Sequence, residues 1–549
     1  MHVRNLYKTL AFYCCALLAA AIALEFIPVQ EVNGKGSQSF SAERVTDDLR
    51  VISKEPHSIQ HPKERKVLRD FLFHRLEQMG GKTQVFEYDT IPSKIGGKFS
   101  YSNVYAEFAP PLPDSSSYIL LTAHYDSRFR TKVGKDTVYS FGAADDGYGL
   151  GVILELVGLA LDYREEWKQG IKVLFTDAEE HELDGMRSAW EEDREIFNGV
   201  NLAVNIDARG VKGPALLFET SPGNEKVMDL YSCAARPQGL SLTTMVYRLL
   251  PNSSDFAVIK DSIPGMNFAV IDNLKYYHTD KDNYSNISLK SVQHYGDQLE
   301  PVMHKYLTGQ EYGVADALVG EKDVVFFCLP FLGMFVFSKM WYLILNIAVF
   351  ALFAFVVYVY VRYKMISLRG ILRAFMHVLV FSAVSVGLGL LGAFILAKYN
   401  GFRFNMLSLK YIPYDNQILL ATLFVQFVWL LVFVRLQERK RKFYVWEMLL
   451  GSNLLVFLLS LAMYVYAGEN YFILFPLATS CIAMFFSLAR YFKWLYLVSC
   501  ALTVLIAVHI LYLLYMAVTI GSMSVIMFLW IIYSSSVISQ YYCLKRREV

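Results

Sequence analysis

Two adjacent carboxylates precede an apolar helical pattern in the segment FGAADDGYGLGVILELVGLAL, residues 141–161. Asp145 and Asp146 lie among glycine and alanine, and an apolar run of about four helical turns follows them. An aspartate is costly to bury unless another group pairs with it. One explanation is a helix N-cap with an acidic neighbour. The other is a carboxylate that bridges two metal ions through both of its oxygens, in a backbone that the glycines allow to turn tightly.

Four further apolar runs are typical of buried strands, and each of them ends in polar residues. They are YILLTAH (118–124), IKVLFTD (171–177), LAVNIDARG (202–210) and GMNFAVID (265–272). Helical patterns lie at 147–163, 182–196, 223–236 and 288–308. This alternation of strands and helices predicts an α/β fold.

Ligand sites in α/β sheets form at the carboxyl ends of the strands, where these polar residues gather. The residues expected there are His124, Asp126, Asp145, Asp146, Glu179, Glu180, Asp207 and His278. Six carboxylates in one place repel each other, and two divalent cations would relieve that repulsion. Nitrogen and oxygen donors without thiolate suit zinc, with manganese or cobalt as alternatives.

Five motifs occur along the chain in the order HYD, GAADDGYG, DAEEHELDG, NIDARG and YYHTDKDN. Together they resemble the co-catalytic zinc exopeptidases, the family of bacterial leucyl aminopeptidase and glutamate carboxypeptidase. The resemblance covers roughly residues 40–310, and it implies a mixed central sheet flanked by helices. With a signal anchor before this region and several apolar spans after it, the layout is most similar to the branch of endoplasmic reticulum metallopeptidase and vacuolar membrane protease.

The resemblance also implies a role for each matching residue and two zinc ions per chain. The implied ligands are His124, Asp145 and Asp207 for one ion, and Asp145, Glu180 and His278 for the other. Glu179 would be the general base, and Asp126 would fix the imidazole tautomer of His124. Asp146 would support Asp145, and Asp207 stands where many family members have Glu.

The reaction that the resemblance implies is metal-assisted hydrolysis, in which Glu179 passes a proton from water to the leaving amine. An aminopeptidase is the leading interpretation, and the same site could have carboxypeptidase polarity. An acyltransferase of the glutaminyl cyclase type, which uses one zinc, and a binding protein with an inactive peptidase domain are the other classes. Tyr277 could donate to the oxyanion or pack in the core. Arg209 could bind a substrate carboxylate or form a structural ion pair.

The chain has 549 residues and is 54% hydrophobic, with the longest apolar runs near the N-terminus and beyond residue 340. The first run indicates a signal anchor at 9–29, or a signal peptide cleaved near Ala21-Ile22-Ala23. Seven later runs have spanning length, near 340–361, 374–397, 417–434, 443–467, 472–489, 495–519 and 522–542. The shorter run VVFFCLPFLGMFVF (324–337) is interpreted as a strand or interfacial segment at the edge of the peptidase domain.

Basic clusters on alternate loops predict about eight spans, with both termini cytoplasmic and the catalytic domain extracytoplasmic. The clusters are Arg362–Arg373, Arg435–Lys442, Arg490 with Lys493, and Lys545–Arg547, on the same side as Arg4 and Lys8. The predicted segments are a cytoplasmic N-terminus (1–8), an anchor (9–29), the peptidase domain (40–320), a connecting segment (321–339), an all-α membrane domain of about seven spans (340–542) and a cytoplasmic tail (543–549).

The composition limits which binding partners are expected and favours one membrane location. A net charge of +2 gives no indication of nucleic acid binding. The expected partners are a peptide substrate and the lipid bilayer, and the oligomeric state is left open. Only Cys233 and Cys328 lie between residues 30 and 340, so no disulfide framework is expected. Together with the compact spans, this favours a bacterial cell membrane over the membrane of the endoplasmic reticulum or vacuole.

Overall fold

A computed structural model describes residues 2–25, 31–111, 117–134, 136–248, 253–329, 332–407, 409–441, 444–488 and 492–545. The chain divides into two compact units. The sheet unit comprises Pro28–Lys339, and the helical unit comprises Met1–Ile27 with Met340–Val549. Positions 26–29 of the predicted anchor and 546–549 of the predicted tail lie outside the described residues.

The helices and strands have the following bounds in chain order. The helices are α1 His2–Glu25, α2 Ala42–Ile52, α3 Pro62–Gln78, α4 Gly147–Leu161, α5 Glu179–Glu182, α6 Asp184–Glu192, α7 Glu225–Tyr231, α8 Ser241–Arg248, α9 Phe256–Ile259, α10 Leu289–Thr308, α11 Lys339–Arg362, α12 Leu368–Tyr399, α13 Asp415–Lys440, α14 Tyr444–Ala467, α15 Tyr471–Ser487, α16 Leu495–Val518 and α17 Met523–Lys545. The strands are β1 Lys82–Pro92, β2 Lys98–Phe108, β3 Tyr118–His124, β4 Thr131–Val133, β5 Asp136–Val138, β6 Gly170–Thr176, β7 Val200–Ala208, β8 Leu216–Thr220, β9 Gly265–Val270, β10 Val324–Leu329 and β11 Gly333–Ser338.

A seven-stranded mixed sheet, in the order β1-β2-β6-β3-β7-β9-β8, forms the centre of the sheet unit. The four central strands β6, β3, β7 and β9 run parallel, and the outer strands pair antiparallel. Parallel strands buried on both faces read as continuous apolar runs. Ile119 and Leu121 of β3 pack into one apolar core, whereas Leu120 packs into a second core on the opposite face. This arrangement confirms the predicted fold class.

The central strands and α4 and α10 lie close to their predicted positions. The predicted helix over 182–196 is wrong in detail, because the chain forms α5 and α6 with a break between them. Leu183 adopts a φ of 62° there, and the Gly185 amide donates to the Asp177 carbonyl at 3.0 Å. The outer strands β1, β2 and β8 were not predicted from the sequence. In β1, exposed and buried positions alternate irregularly, which leaves no clear apolar run.

Two strands, β10 and β11, lie in the apolar segment 324–337. β10 and β11 pair antiparallel as a hairpin, with Phe327 opposite Phe335. All residues of β10 up to Cys328 are buried, and Phe326 joins the larger apolar core of the sheet unit. The described residues of this segment, 324–329 and 332–337, therefore belong to the sheet unit.

Seven of the described helical segments are long and apolar enough to cross a membrane, by length and composition. They are Tyr7–Leu24, Lys339–Arg362, Leu368–Tyr399, Asp415–Lys440, Tyr444–Ala467, Leu495–Val518 and Ile520–Lys545. The remaining predicted span, near 472–489, corresponds to the shorter apolar helix α15 of 17 residues. The all-α character predicted for the C-terminal region is therefore confirmed.

Candidate active site

The two acidic residues of the opening segment have different surroundings. Asp146 caps α4, because its Oδ1 accepts the Gly149 amide at 3.0 Å. Its Oδ2 accepts the His124 amide at 3.3 Å, which ties the end of β3 to the start of the helix. A side chain at Gly147 would place its Cβ 2.6 Å from the Gly142 carbonyl, so this tight turn requires glycine. Asp145 is free of the capping role and can serve as a ligand.

His124, Asp145 and Asp207 form the first candidate metal group. They stand at the ends of β3 and β7 and in the loop before α4, with their ligand atoms within 4.8 Å of one another. The His124 Nε2 lies 3.2 Å from the Asp145 Oδ1. The Asp207 Oδ1 accepts the amide of Ala208 at 2.6 Å. The sheet thus brings these three predicted ligands together.

Asp145, Glu180 and His278 form the second candidate group, and Asp145 belongs to both groups. The His278 Nε2 lies 3.0 Å from the Glu180 Oε1 and 3.3 Å from the Asp145 Oδ2. These three atoms are among the buried side-chain atoms of the described residues that have no hydrogen-bond partner. Buried polar atoms normally have a hydrogen-bond partner. Three potential ligand atoms that lack one and lie within a few ångströms of each other therefore indicate a place for a cation.

Glu179 and Glu180 are adjacent but differ in exposure. Ala178, with a φ of 57°, turns the chain from β6 into the short helix α5. Glu180 is 7% exposed and faces His278, whereas Glu179 is only half-buried. The Asp126 carboxylate accepts both of their amides, at 2.9 Å from Glu179 and 3.3 Å from Glu180. The two glutamates can therefore have separate roles.

Asp126 contacts His124 mainly through its backbone. The His124 Nδ1 lies 2.9 Å from the Asp126 carbonyl oxygen and 3.5 Å from its carboxylate. A proton on Nδ1 donates to that carbonyl and leaves Nε2 free to face Asp145. Asp126 is thus placed to fix the imidazole tautomer, while its carboxylate orients the start of α5.

Tyr277 and Arg209 flank the two groups. The Tyr277 ring stacks on the His278 ring, with centroids 3.6 Å apart. Burial and the carboxylates of Asp145 and Glu180 raise the pKa of Tyr277 well above its usual value, so the phenol stays protonated. Arg209 is 8% exposed, and burial lowers its pKa despite the nearby carboxylate of Asp207.

Burial has the largest effect on the pKa values of the acids in this site. Burial raises the pKa of Asp207 to about 7 and raises those of Asp146 and Glu179 well above their usual values. Burial alone would raise the pKa of Glu180 too, but the positive charges of His278 and Arg128 outweigh burial and hold this pKa below its usual range. A cation would favour the ionised form of all these carboxylates.

The structure adds three residues to which the sequence analysis gave no firm role. Asp282 accepts the Ala144 amide at 2.7 Å, the Asp145 amide at 3.3 Å and the Ser140 hydroxyl at 3.0 Å. Arg128 donates to Glu180 at 2.8 Å. Asp255 is 2% exposed and accepts the Thr176 hydroxyl, and burial raises its pKa to about 6. Asp282 lies in the motif YYHTDKDN and Arg128 lies two residues after the motif HYD, but neither motif indicates which ligand these residues contact.

The donor set fits zinc. Two histidines and the carboxylates of Asp145, Glu180 and Asp207 supply nitrogen and oxygen donors without thiolate. The ligand atoms of Asp145, Glu180 and His278 that lack hydrogen-bond partners also support a metal site, because these atoms are buried and lie close together.

Comparisons with known proteins agree with the motifs. Residues 103–303 match the sequence model of Peptidase family M28. Rattus norvegicus endoplasmic reticulum metallopeptidase 1 is 28% identical over 243 residues, covering 42% of this chain and 26% of the relative. The vacuolar membrane protease of Coccidioides posadasii is 28% identical over 186 residues, covering 33% of this chain and 17% of the relative. The matched part of the chain thus spans about a quarter, or less, of the length of these relatives.

Two solved structures each resemble about half of this chain. A zinc-dependent exopeptidase from Parabacteroides distasonis is 21% identical, covering 48% of this chain and 98% of that one, with a TM-score of 0.38. Porphyromonas gingivalis glutaminyl cyclase is 19% identical, covering 49% of this chain and 99% of that one, with a TM-score of 0.40. The resemblance predicted from the five motifs is confirmed by the sequence match: residues 103–303 carry the pattern of Peptidase family M28, a metallopeptidase family.

Proposed function

We propose that this chain is a membrane-anchored, zinc-dependent aminopeptidase that removes N-terminal residues from peptides. One observation supports it most: the buried atoms Asp145 Oδ2, Glu180 Oε1 and His278 Nε2 converge without hydrogen-bond partners. A general base with no ligand role, Glu179, lies directly beside them. This combination is what metal-assisted hydrolysis requires.

Two zinc ions would fit the two ligand groups, with Asp145 shared between them. Ions bound there would lower the pKa of a water molecule and polarise the scissile carbonyl. His124 and Asp207 would complete the first group, and Glu180 and His278 the second.

Glu179 takes the proton in this scheme. Its amide is held by Asp126, and its half-buried side chain is more open than that of Glu180. Glu179 accepts one proton from the attacking water and delivers that proton to the amine of the leaving peptide, so the carboxylate is regenerated. Glu180 has no free oxygen for this task, because Arg128 contacts Oε2 and the second group needs Oε1.

Tyr277 is the proposed hydrogen-bond donor to the oxygen of the scissile carbonyl. Its phenol stays protonated because burial and the neighbouring carboxylates raise its pKa. Its stacking on His278 keeps the ring beside the second group. Donors fixed before the reaction are effective because they need no reorganisation as charge develops.

The balance of charge near the ligands favours an amine over a carboxylate as the end group of the substrate. Arg128 is engaged with Glu180, and Arg209 is 8% exposed. A carboxypeptidase would need an arginine that is open to the substrate, whereas an aminopeptidase needs carboxylates near the substrate amine. Several buried or half-buried acids lie here, including Asp207 and Glu179.

The first experiment is mass spectrometry of peptide digestion by the detergent-purified full chain, with and without chelator. The peptide panel combines free and blocked N-termini with free and amidated C-termini. Stepwise, chelator-sensitive loss from free N-termini is the expected result. Loss from C-termini instead would reverse the proposed polarity, and pyroglutamate formation on Gln-starting peptides would favour a cyclase. No reaction in a protein that holds two metals would refute the proposal.

We further propose an integral membrane protein of about eight spans with an extracytoplasmic catalytic domain. The apolar helices are consistent with a bilayer, and the relatives are named as endoplasmic reticulum and vacuolar membrane proteins. The bacterial cell membrane stays the predicted location. Cysteine labelling at Arg403, between α12 and α13, and at Arg439, in the last turn of α13, tests the topology, because these two positions are predicted to face opposite sides of the membrane. Equal accessibility of both to an impermeant reagent would contradict it.

A further inference from the structure

Arg128 holds one oxygen of Glu180 and leaves the other open. Its Nη1 donates to the Glu180 Oε2 at 2.8 Å and to the Glu180 backbone carbonyl at 3.0 Å. One amino group therefore bridges the side chain and the main chain of the same residue. A charge-assisted hydrogen bond of this kind is about twice as strong as a neutral one. The side chain of Glu180 is thus fixed relative to its own backbone.

The other oxygen, Oε1, has a different environment. It is buried, lies 3.0 Å from the His278 Nε2, and has no hydrogen-bond partner. The two oxygens of this carboxylate are therefore not equivalent, because Arg128 engages one and the second ligand group contains the other. Without Arg128, the carboxylate could rotate and present either oxygen, or both.

Arg128 is itself fixed by its surroundings. Its guanidinium carbon lies 4.1 Å from the centroid of the Phe129 ring, and Phe129 is 9% exposed. Such stacking over an aromatic face is favourable for a guanidinium. Arg128 follows His124 by four residues. The end of β3 and the loop after it therefore carry both a ligand of the first group and the residue that orients a ligand of the second.

We propose that Arg128 is a positioning residue that makes Glu180 a single-oxygen ligand, so that the second metal site depends on Arg128 and the first does not. This inference rests on the proposed two-metal function and deepens it. A ligand that offers one oxygen donates less electron density than one that offers both, which leaves the cation a stronger Lewis acid. Replacing a residue that holds a metal ligand through a hydrogen bond typically lowers metal affinity by about 10- to 100-fold.

The test measures metal binding directly in the full-length chain in detergent. Metal-free protein is titrated with cobalt(II) and followed by visible absorption, and zinc competition then gives the affinity of each step. His124→Ala and His278→Ala assign the two steps to the first and second groups. Arg128→Met removes both hydrogen bonds and the guanidinium over Phe129, and keeps an unbranched side chain of about the length of the arginine stem. Arg130→Met is the matched control, because the Arg130 guanidinium donates to the Ile95 carbonyl rather than to Glu180.

The expected result for Arg128→Met is a loss of about 10- to 100-fold at the second step only, with altered cobalt bands for that step. Arg130→Met should bind as the parent protein does. Parental affinity at both steps in Arg128→Met, or equal weakening of both, would overturn the proposal. If Arg128→Met does not fold, Arg128→Lys is titrated instead: weakening confined to the second step supports the inference, and parental binding overturns it. A parent protein that binds fewer than two ions would instead refute the two-metal function.

Discussion

The substitution Asp282→Asn should separate the contribution of this residue to fold stability from its contribution to metal binding. Its two carboxylate oxygens accept the amides of Ala144 at 2.7 Å and Asp145 at 3.3 Å, and one of them also accepts the Ser140 hydroxyl. The substitution Asp282→Asn keeps an oxygen for the Ala144 amide. It places an amide nitrogen where Asp145 now finds an acceptor. The loop that positions Asp145 therefore loses one of the two backbone amide hydrogen bonds that the Asp282 carboxylate accepts.

The magnitudes follow from the geometry. A buried amide left without an acceptor costs about 1–3 kcal/mol. The opposing effect is that burial, together with the charge of Asp145, raises the pKa of Asp282 from 3.8 to about 7. Asp282 is 1% exposed, so above pH 7 its charge costs the metal-free fold up to about 4 kcal/mol. The neutral asparagine avoids that cost, and metal-free Asp282→Asn should be about as stable as the parent at neutral pH, or more stable.

The sign of the pH dependence is fixed by the raised pKa. Asp282 contributes fully to stability below about pH 4, and that contribution is lost as the pH rises through about 7. The melting temperature of the metal-free parent should therefore fall relative to that of Asp282→Asn across this interval. Metal affinity should respond differently. Because Asp145 belongs to both ligand groups, both zinc-binding steps should weaken, by about 10- to 100-fold.

The assay combines thermal melting in chelator with zinc competition on the full chain. Asp280→Asn is the matched control, since Asp280 is exposed in the same loop and contributes only its backbone carbonyl to the Asn283 side chain. Parental zinc affinity at both steps in Asp282→Asn would refute the reasoning. A melting difference that does not change with pH would refute the electrostatic part alone.

Three further predictions concern the base, the metals and the core. Glu179→Gln should retain both metals and lose about 10²- to 10⁴-fold in rate; a near-parental rate would remove Glu179 from the proton path. Chelation should lower the melting temperature, because ligand at about 1,000 times its Kd stabilises a fold by about 4 kcal/mol; an unchanged melt would argue against resident metal. Gly296→Ala should destabilise the sheet unit by about 1–3 kcal/mol, since its Cβ would overlap the Phe40 ring. Gly158→Ala, whose Cβ meets only the end of Met79 at 3.8 Å, is the control and should be neutral or stabilising.

The parts of this fold that could be predicted are the strands whose own sequence is almost continuously apolar. β3 carries an apolar residue at nearly every position, so its limits follow from composition, and the polar residue that ends it is at once a site candidate. β1 and β2 pair antiparallel at one side of the sheet, and Glu87 and Asp89 stand exposed within β1. Such strands are defined by their partners rather than by their own sequence, which explains why they were not predicted.

The ligands could be predicted for a similar reason, and their supporting residues could not. A ligand must have one of a few side chains at the end of a strand, and His124 satisfies both conditions. Asp282 supports Asp145 from 137 positions away, and Arg128 supports Glu180 across 52. Each contact depends on how two distant loops meet. The contact of Asp282 is made to backbone amides, which any residue except proline can supply, so the sequence at 144–145 does not reveal it.

The structure also distinguishes the individual oxygens of the carboxylates, which no motif can do. Asp145 directs Oδ1 to His124 and Oδ2 to His278, so its two oxygens serve different groups. Glu180 directs only Oε1 to the site, because Arg128 engages Oε2. The two supporting residues should therefore have different effects: loss of Asp282 disturbs the shared ligand and both metals, whereas loss of Arg128 disturbs one ligand and one metal. A titration that resolves two binding steps can separate these outcomes, and equal patterns in the two variants would mean that the groups do not share Asp145 in the way the geometry indicates.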